Sequence, residues 1–86
     1  MKHATKDTLI GAEPLLQRIR RAGLKEKSLG VFYRKSKPFL HFHEDPKGLF
    51  ADLVRGADFD RYPVNTPEEQ ERLIAVIDGE TPPDPA

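Results

Sequence analysis

The sequence contains no cysteine and no tryptophan among its 86 residues. Without cysteine, disulfide bonds, thiolate zinc sites and cysteine nucleophiles are excluded, so any metal site must use histidine and carboxylate ligands. The sequence also lacks an apolar run near the roughly 20 residues needed to cross a bilayer, or one that resembles a signal-peptide core. We therefore expect a cytoplasmic protein with no membrane partner.

Strong functional motifs are also lacking. No spacing in the sequence matches an established catalytic, phosphate-binding or structural-metal pattern. The chain is long enough for only one small domain, whose core is expected to be marginal because its surface is large relative to its volume. We therefore predict no cofactor and favour a function other than catalysis.

The charges balance to zero overall but are segregated along the chain. Residues 1–38 hold ten basic and three acidic side chains, whereas residues 39–86 hold four basic and eleven acidic ones. One interpretation is that the two halves form surface ion pairs. The alternative is a nucleic-acid-binding module that uses the basic half, with aromatic residues interleaved. Its candidate residues are Arg18, Arg20, Arg21, Lys25, Lys27, Arg34, Lys35 and Lys37.

Two amphipathic helices are predicted, one on each side of the central segment. The first covers residues 14–22, where Pro14 suits the first helical position and Gly23 suits the end. The second begins with a capping box in which Thr66 is the N-cap and Glu69 stands three residues later. An apolar stripe follows the capping box, so this helix should pack against the core.

Between the helices, short aromatic and β-branched runs alternate with turn residues, which is typical of antiparallel strands. We predict an α+β fold, a three- to four-stranded antiparallel meander with two helices packed on one face, in the order α-β-β-β-(β)-α. Residues 12–79 should form this single domain, with a flexible segment at residues 1–11 and a disordered proline-rich tail at residues 80–86.

Residues 39–54 predict a β-hairpin whose turn is closed by Asp45 and Gly48. Counting outward from that turn places His41 opposite Asp52. Alternation puts a clean apolar set on one face, which we assign to the core. This set is Leu40, Phe42, Leu49, Ala51 and Leu53, joined by Val31 and Tyr33 if residues 35–38 form an equally tight turn.

The opposite face of the sheet is predicted to be chemically mixed and not covered by a helix. The candidate binding residues there are Phe32, Arg34, Phe39, His41, His43, Phe50 and Asp52, with Val54 beside them. Three phenylalanines on an open face would form an apolar patch that needs a cover. The leading hypothesis is therefore a binding or self-association module that uses this face, in a homodimer or with another protein.

The two histidines of the hairpin give a second alternative. His41 facing Asp52 predicts a cross-strand hydrogen bond, which either steadies the sheet or orients a catalytic imidazole. His41, His43 and Asp52 also supply three ligands for a divalent ion such as zinc, so a metal site or a metal-dependent enzyme is possible in chemical terms. His3 is predicted to be a surface residue without a partner.

The segment FYRKSKPFLHFHED at residues 32–45, continued by GLFAD at residues 48–52, resembles the core of a family of small uncharacterised bacterial proteins. The resemblance covers most of residues 13–78. It implies a compact bacterial domain with no assigned activity, so it transfers no catalytic residue. The predicted topology is also similar to that of frataxin-like domains, including a small type suspected of binding DNA. That similarity is of topology only and this chain is shorter, so it favours the nucleic-acid alternative only slightly.

Overall fold

The structure is a computed structural model, and it describes residues 2–80. In this range the chain has an α+β fold with an antiparallel sheet, as the sequence predicted. The elements in chain order are β1 (Lys2–His3), α1 (Lys6–Gly11), α2 (Glu13–Arg20), β2 (Lys25–Ser28), β3 (Val31–Arg34), β4 (Lys37–Asp45), β5 (Gly48–Arg55), β6 (Asp58–Pro63) and α3 (Pro67–Glu80). No helix of residues 2–80 combines the length and the apolar character that a membrane crossing requires.

Strands β2 to β6 form a meander in sequence order, and β1 pairs with the second half of the long strand β4. The predicted hairpin register is confirmed, because Asp45 pairs with Gly48 and His41 pairs with Asp52. The Asp45 side chain accepts a hydrogen bond from the Lys47 backbone N–H at 2.8 Å, which holds the turn. Strand β6 lies at an edge of the sheet, where Pro63 needs no ladder hydrogen bond.

One face of the sheet is covered by the helices and forms the core. The core residues predicted for the β4–β5 hairpin are all buried. They are Leu40, Phe42, Leu49, Ala51 and Leu53. They pack in one cluster with the apolar residues of all three helices, among them Leu9, Leu16, Ile19, Leu73 and Ile77. Burying side chains of this size stabilises the fold by about 1.5–3 kcal/mol each before chain entropy is subtracted.

The hairpin between β3 and β4 differs from the prediction. Its turn contains only Lys35 and Ser36, which both have positive φ (52° and 68°), and a bulge follows between Phe32 and Tyr33. Phe32 therefore pairs with Leu40 and lies fully buried in the core. The predictions that placed Val31 and Tyr33 in the core and Phe32 on the open face are wrong, because a one-residue change of register reverses the two faces.

Three elements were not predicted from the sequence. Residues 2–11, for which no regular structure was expected, form β1 and α1, and Leu9 of α1 is buried in the core. Strand β2 was missed because its sequence is entirely polar, which suits an edge strand but carries no alternating apolar signal. The edge lysines of β2 also discourage pairing with another sheet.

The helices begin where the sequence indicated. In α3 the capping box is present, since the Glu69 backbone N–H donates to Thr66 Oγ1 at 3.1 Å and the Thr66 backbone N–H donates to Glu69 Oε1 at 3.2 Å. Helix α3 continues through Gly79 to Glu80. The predicted tail at residues 80–86 lies outside the described residues, apart from the last position of α3.

Candidate functional site

All three histidines of the sequence meet on the open face of the sheet. The ring centroids of His3 and His43 are 4.5 Å apart, those of His41 and His43 are 4.8 Å apart, and those of His3 and His41 are 6.1 Å apart. Asp52 lies beneath the rings and is only 1% exposed. We call these four residues the histidine cluster.

Strand β1 positions His3, for which the sequence predicts a surface position without a partner. His3 pairs with His43 in the ladder, so that both side chains leave the same face. The Ala4 backbone N–H donates to the carbonyl of Phe42 at 3.1 Å, and the Thr5 backbone N–H donates to Glu44 Oε1 at 2.6 Å. These contacts fasten the N-terminal segment against β4.

Arg61 on β6 completes the site from the other side. It pairs with Asp52 across the β5–β6 ladder, donating from Nε to Oδ1 at 2.8 Å and from Nη2 to Oδ2 at 2.9 Å. His43 Nδ1 lies 2.7 Å from Asp52 Oδ2, whereas His41 Nε2 is 3.8 Å from the same oxygen. The predicted hydrogen bond between His41 and Asp52 is therefore replaced by one from His43.

The protonation states follow from these contacts. Burial alone would raise the pKa of the Asp52 carboxyl, but hydrogen bonds and charge from Arg61 and His43 outweigh burial and hold it below its ordinary value. Asp52 is thus ionised and can only accept, so the proton of this contact is on His43 Nδ1. Burial lowers the pKa of His41, and repulsion from His43 lowers it further, so this ring is neutral at pH 7.

A divalent ion finds suitable donors in this cluster. One donor atom each from His41, His43 and Asp52 lies within 4.8 Å of the others, and imidazole and carboxylate are ligands that zinc accepts. However, both Asp52 oxygens already accept from Arg61, so direct ligation by Asp52 requires Arg61 to move. A second arrangement would use the three imidazoles as ligands and Asp52 as the outer partner that orients His43, as is common around protein-bound zinc. His3 is outside the group with donor atoms within 4.8 Å, so this arrangement requires His3 to move.

The remaining open-face residues do not form the exposed apolar patch that the sequence predicted. Phe32 lies in the core, Phe39 is only 7% exposed, and Phe50 is half-buried. The guanidinium of Arg34 lies 5.5 Å from the centre of the Phe39 ring and shields it. The exposed aromatic on this face is instead Phe59 of β6, at 50%.

The eight basic residues considered for nucleic-acid binding are distributed over α2 and its end, strand β2 and the β3–β4 hairpin. Arg18 forms an ion pair with Glu71 of α3, and Arg20 bonds both Glu13 and Glu26. The ion pair of Arg18 with Glu71 joins the basic half of the sequence to the acidic half. It is a contact of the kind that the first interpretation of the charge pattern predicts. Arg34, Lys35 and Lys37 stay together around one turn.

Sequence reasoning missed two residues of the site, His3 and Arg61. The register of Arg61 follows from the β5–β6 turn, since counting outward from the pair of Arg55 and Asp58 reaches Arg61 opposite Asp52. His3 gave no comparable signal, because a two-residue strand is too short to show alternation.

Comparison of the chain with protein-family models, with curated proteins and with solved structures found no match. The resemblance to a family of small bacterial proteins therefore stays a prediction.

Proposed function

We propose that this chain is a small binding domain that works through the open face of its sheet, and that it holds a divalent transition-metal ion at the histidine cluster. The observation that carries the proposal is the convergence of all three histidines of the chain, from positions 3, 41 and 43, above one buried carboxylate. Imidazole nitrogen is a preferred ligand of zinc and its neighbours in the transition series.

The three-histidine arrangement is the one we favour. It leaves the pair of Asp52 and Arg61 intact and uses the hydrogen bond from His43 Nδ1 to set the tautomer that presents Nε2 to the ion. The lowered pKa of His41 also supports ligation, because that ring need not lose a proton at pH 7 before it binds. Water would complete the coordination shell.

Titration calorimetry with zinc chloride tests the proposal. The wild type should bind one ion, and the His41→Gln and His43→Gln double variant should bind at least about 100-fold more weakly, beyond the 10–100-fold loss typical of an outer-shell change. The matched control is the Asp58→Asn and Asp60→Asn double variant, which removes two exposed carboxylates of β6. Equal zinc affinity in the wild type and the histidine double variant would contradict the proposal.

His3→Gln distinguishes the two ligand sets. If His3 is a ligand, this variant should weaken zinc binding by about tenfold or more, and Asp52→Asn should have an effect in the range of an outer partner. If Asp52 is the third ligand, His3→Gln leaves the affinity near that of the wild type and Asp52→Asn abolishes binding. The absorption spectrum of the Co²⁺ complex reports the coordination geometry in each variant.

Self-association through the same face is a second candidate, and one observation favours it. Phe59 is half-exposed beside Val54, next to the histidine cluster. Sedimentation velocity over a range of concentrations tests this with Phe59→Lys. Ile10→Lys is the matched control, because Ile10 is the other large apolar side chain in the described part of the chain that is exposed, and it lies on α1.

A further inference from the structure

A second site lies at the end of the sheet where the β3–β4 turn and the β5–β6 turn come together. A cavity of about 620 Å³ opens between them, within the range typical of small-molecule sites. It is lined by the ends of β3, β4 and β5. The lining residues are Arg34, Lys35, Lys37, Pro38, Phe39, Val54, Arg55 and Gly56.

The lining carries charge of one sign only. Four of the eight lining residues are cationic, and none of them is a carboxylate. Two of the cations are held in place, since Arg34 lies 5.5 Å from the centre of the Phe39 ring and Arg55 Nε donates to Asp60 at 2.7 Å. Cations that converge on one cavity repel each other, and a bound anion removes that cost.

The β3–β4 turn at the rim sets the backbone positions of two of these cations. Lys35 and Ser36 have φ values of 52° and 68°, a conformation that side-chain-bearing residues seldom adopt. This tight turn sets Arg34 opposite Lys37 across the ladder. The apolar part of the lining is supplied by Pro38, Phe39 and Val54.

We propose that this cavity binds a small ligand in which a phosphate group is joined to a flat ring, the class to which mononucleotides belong. The planar guanidinium of Arg34 can stack on a ring and bind an oxyanion through its N–H groups, which a lysine cannot do. Lys35 and Lys37 supply the positive charge for the phosphate, whereas the charge of Arg55 is already balanced by Asp60. The volume accommodates a nucleoside monophosphate, whereas inorganic phosphate fills only part of it. This site uses no histidine and is independent of the metal proposal.

Adenosine monophosphate, adenosine and inorganic phosphate are the probes, each titrated by calorimetry in the presence of EDTA so that the histidine cluster is metal-free. The monophosphate should bind at least about tenfold more tightly than either adenosine or phosphate alone, since only it uses both the ring and the charges. The Arg34→Gln and Lys37→Gln double variant should lose about tenfold or more of that affinity.

The matched control is the Lys25→Gln and Arg72→Gln double variant. It removes the same two residue types and the same net charge from exposed positions on β2 and α3 that do not line the cavity. It should keep the wild-type affinity within about twofold, because distant surface charges are screened by salt. Lys35→Gln removes one lining charge at the exposed turn. It leaves Arg34, which packs on Phe39, unchanged.

Three results would overturn the proposal. One is an equal loss of affinity in the cavity variant and the control, which would indicate net charge alone. Another is a monophosphate affinity no higher than that of inorganic phosphate. The third is binding of a short single-stranded oligonucleotide with no binding of the monophosphate, which would instead support the nucleic-acid surface around this turn.

Discussion

Asp52 lies directly opposite His41 across strands β4 and β5, yet the imidazole that donates a hydrogen bond to it is that of His43, the diagonal neighbour. The distances to Asp52 Oδ2 are 2.7 Å from His43 Nδ1 and 3.8 Å from His41 Nε2. Diagonal residues in an antiparallel ladder are close enough for such contacts. One buried carboxylate thereby joins three strands, because Arg61 of β6 bonds it from the opposite side.

Asp52→Asn should destabilise the metal-free protein by about 2–4 kcal/mol, because it leaves the Arg61 guanidinium without its buried counter-ion. Urea denaturation in EDTA measures this free energy of unfolding. Asp60→Asn is the matched control, since it breaks an exposed pair with Arg55 and should cost no more than about 1 kcal/mol. Equal losses in the free energy of unfolding for the two substitutions would show that the burial of Asp52 does not strengthen its ion pair with Arg61.

Phe32→Ala should cost about 3–5 kcal/mol, the range for removing a fully buried aromatic ring. Phe59→Ala, which removes the same side chain from a half-exposed position on β6, should cost about 1 kcal/mol or less. Thermal or urea unfolding of both variants provides the comparison. A larger loss for Phe59→Ala would place Phe32 outside the core and contradict the register of the β3–β4 hairpin.

The sequence predicted best where local chemistry determines geometry. The Asp45–Gly48 turn defines the register of its hairpin, and the Thr66 capping box marks the start of α3, because both depend on residues a few positions apart. The β3–β4 hairpin failed because its two-residue turn uses Lys35 and Ser36, which carry none of the glycine or asparagine preference of left-handed turns. The bulge between Phe32 and Tyr33 then shifted the register by one residue and exchanged the two faces.

The candidate site was predictable only in part for a related reason. His41, His43 and Asp52 lie in one hairpin, so the alternation of that hairpin brought them together correctly. His3 and Arg61 reach the site through pairings between more distant strands, and residue types alone do not fix such pairings. The choice of His43 rather than His41 as the partner of Asp52 depends on side-chain rotamers, which no sequence pattern specifies.

Glu26 should make the fold sensitive to acid. A hydrogen bond from Arg20 holds the pKa of Glu26 below its ordinary value, and burial opposes that shift only in part. The carboxylate also accepts from the Gly30 backbone N–H at 3.0 Å, so it links helix α2 to the β2–β3 turn. A lowered folded-state pKa means that this stabilisation is complete above the unfolded-state pKa of about 4.3 and is lost as pH falls through the folded-state value.

Glu26→Gln should therefore destabilise the protein by about 1–2 kcal/mol at pH 7, and the difference from the wild type should shrink below about pH 4. Urea denaturation at a series of pH values measures it. Glu13→Gln removes the other carboxylate at Arg20 from a more exposed position and should have a smaller effect. A pH-independent difference between Glu26→Gln and the wild type would contradict a role for the charge of Glu26.

Ser36→Gly should stabilise the protein, an unusual direction for a glycine substitution. Ser36 has a φ of 68° in the β3–β4 turn, where a side chain is strained and glycine is not. The relief outweighs the extra freedom of glycine in the unfolded chain, so we expect a gain of about 0.5–1 kcal/mol in the free energy of unfolding. Ser28→Gly in strand β2, where φ is not positive, should instead cost about 0.5–1 kcal/mol. Destabilisation of similar size by both substitutions would mean that Ser36 does not take the left-handed conformation.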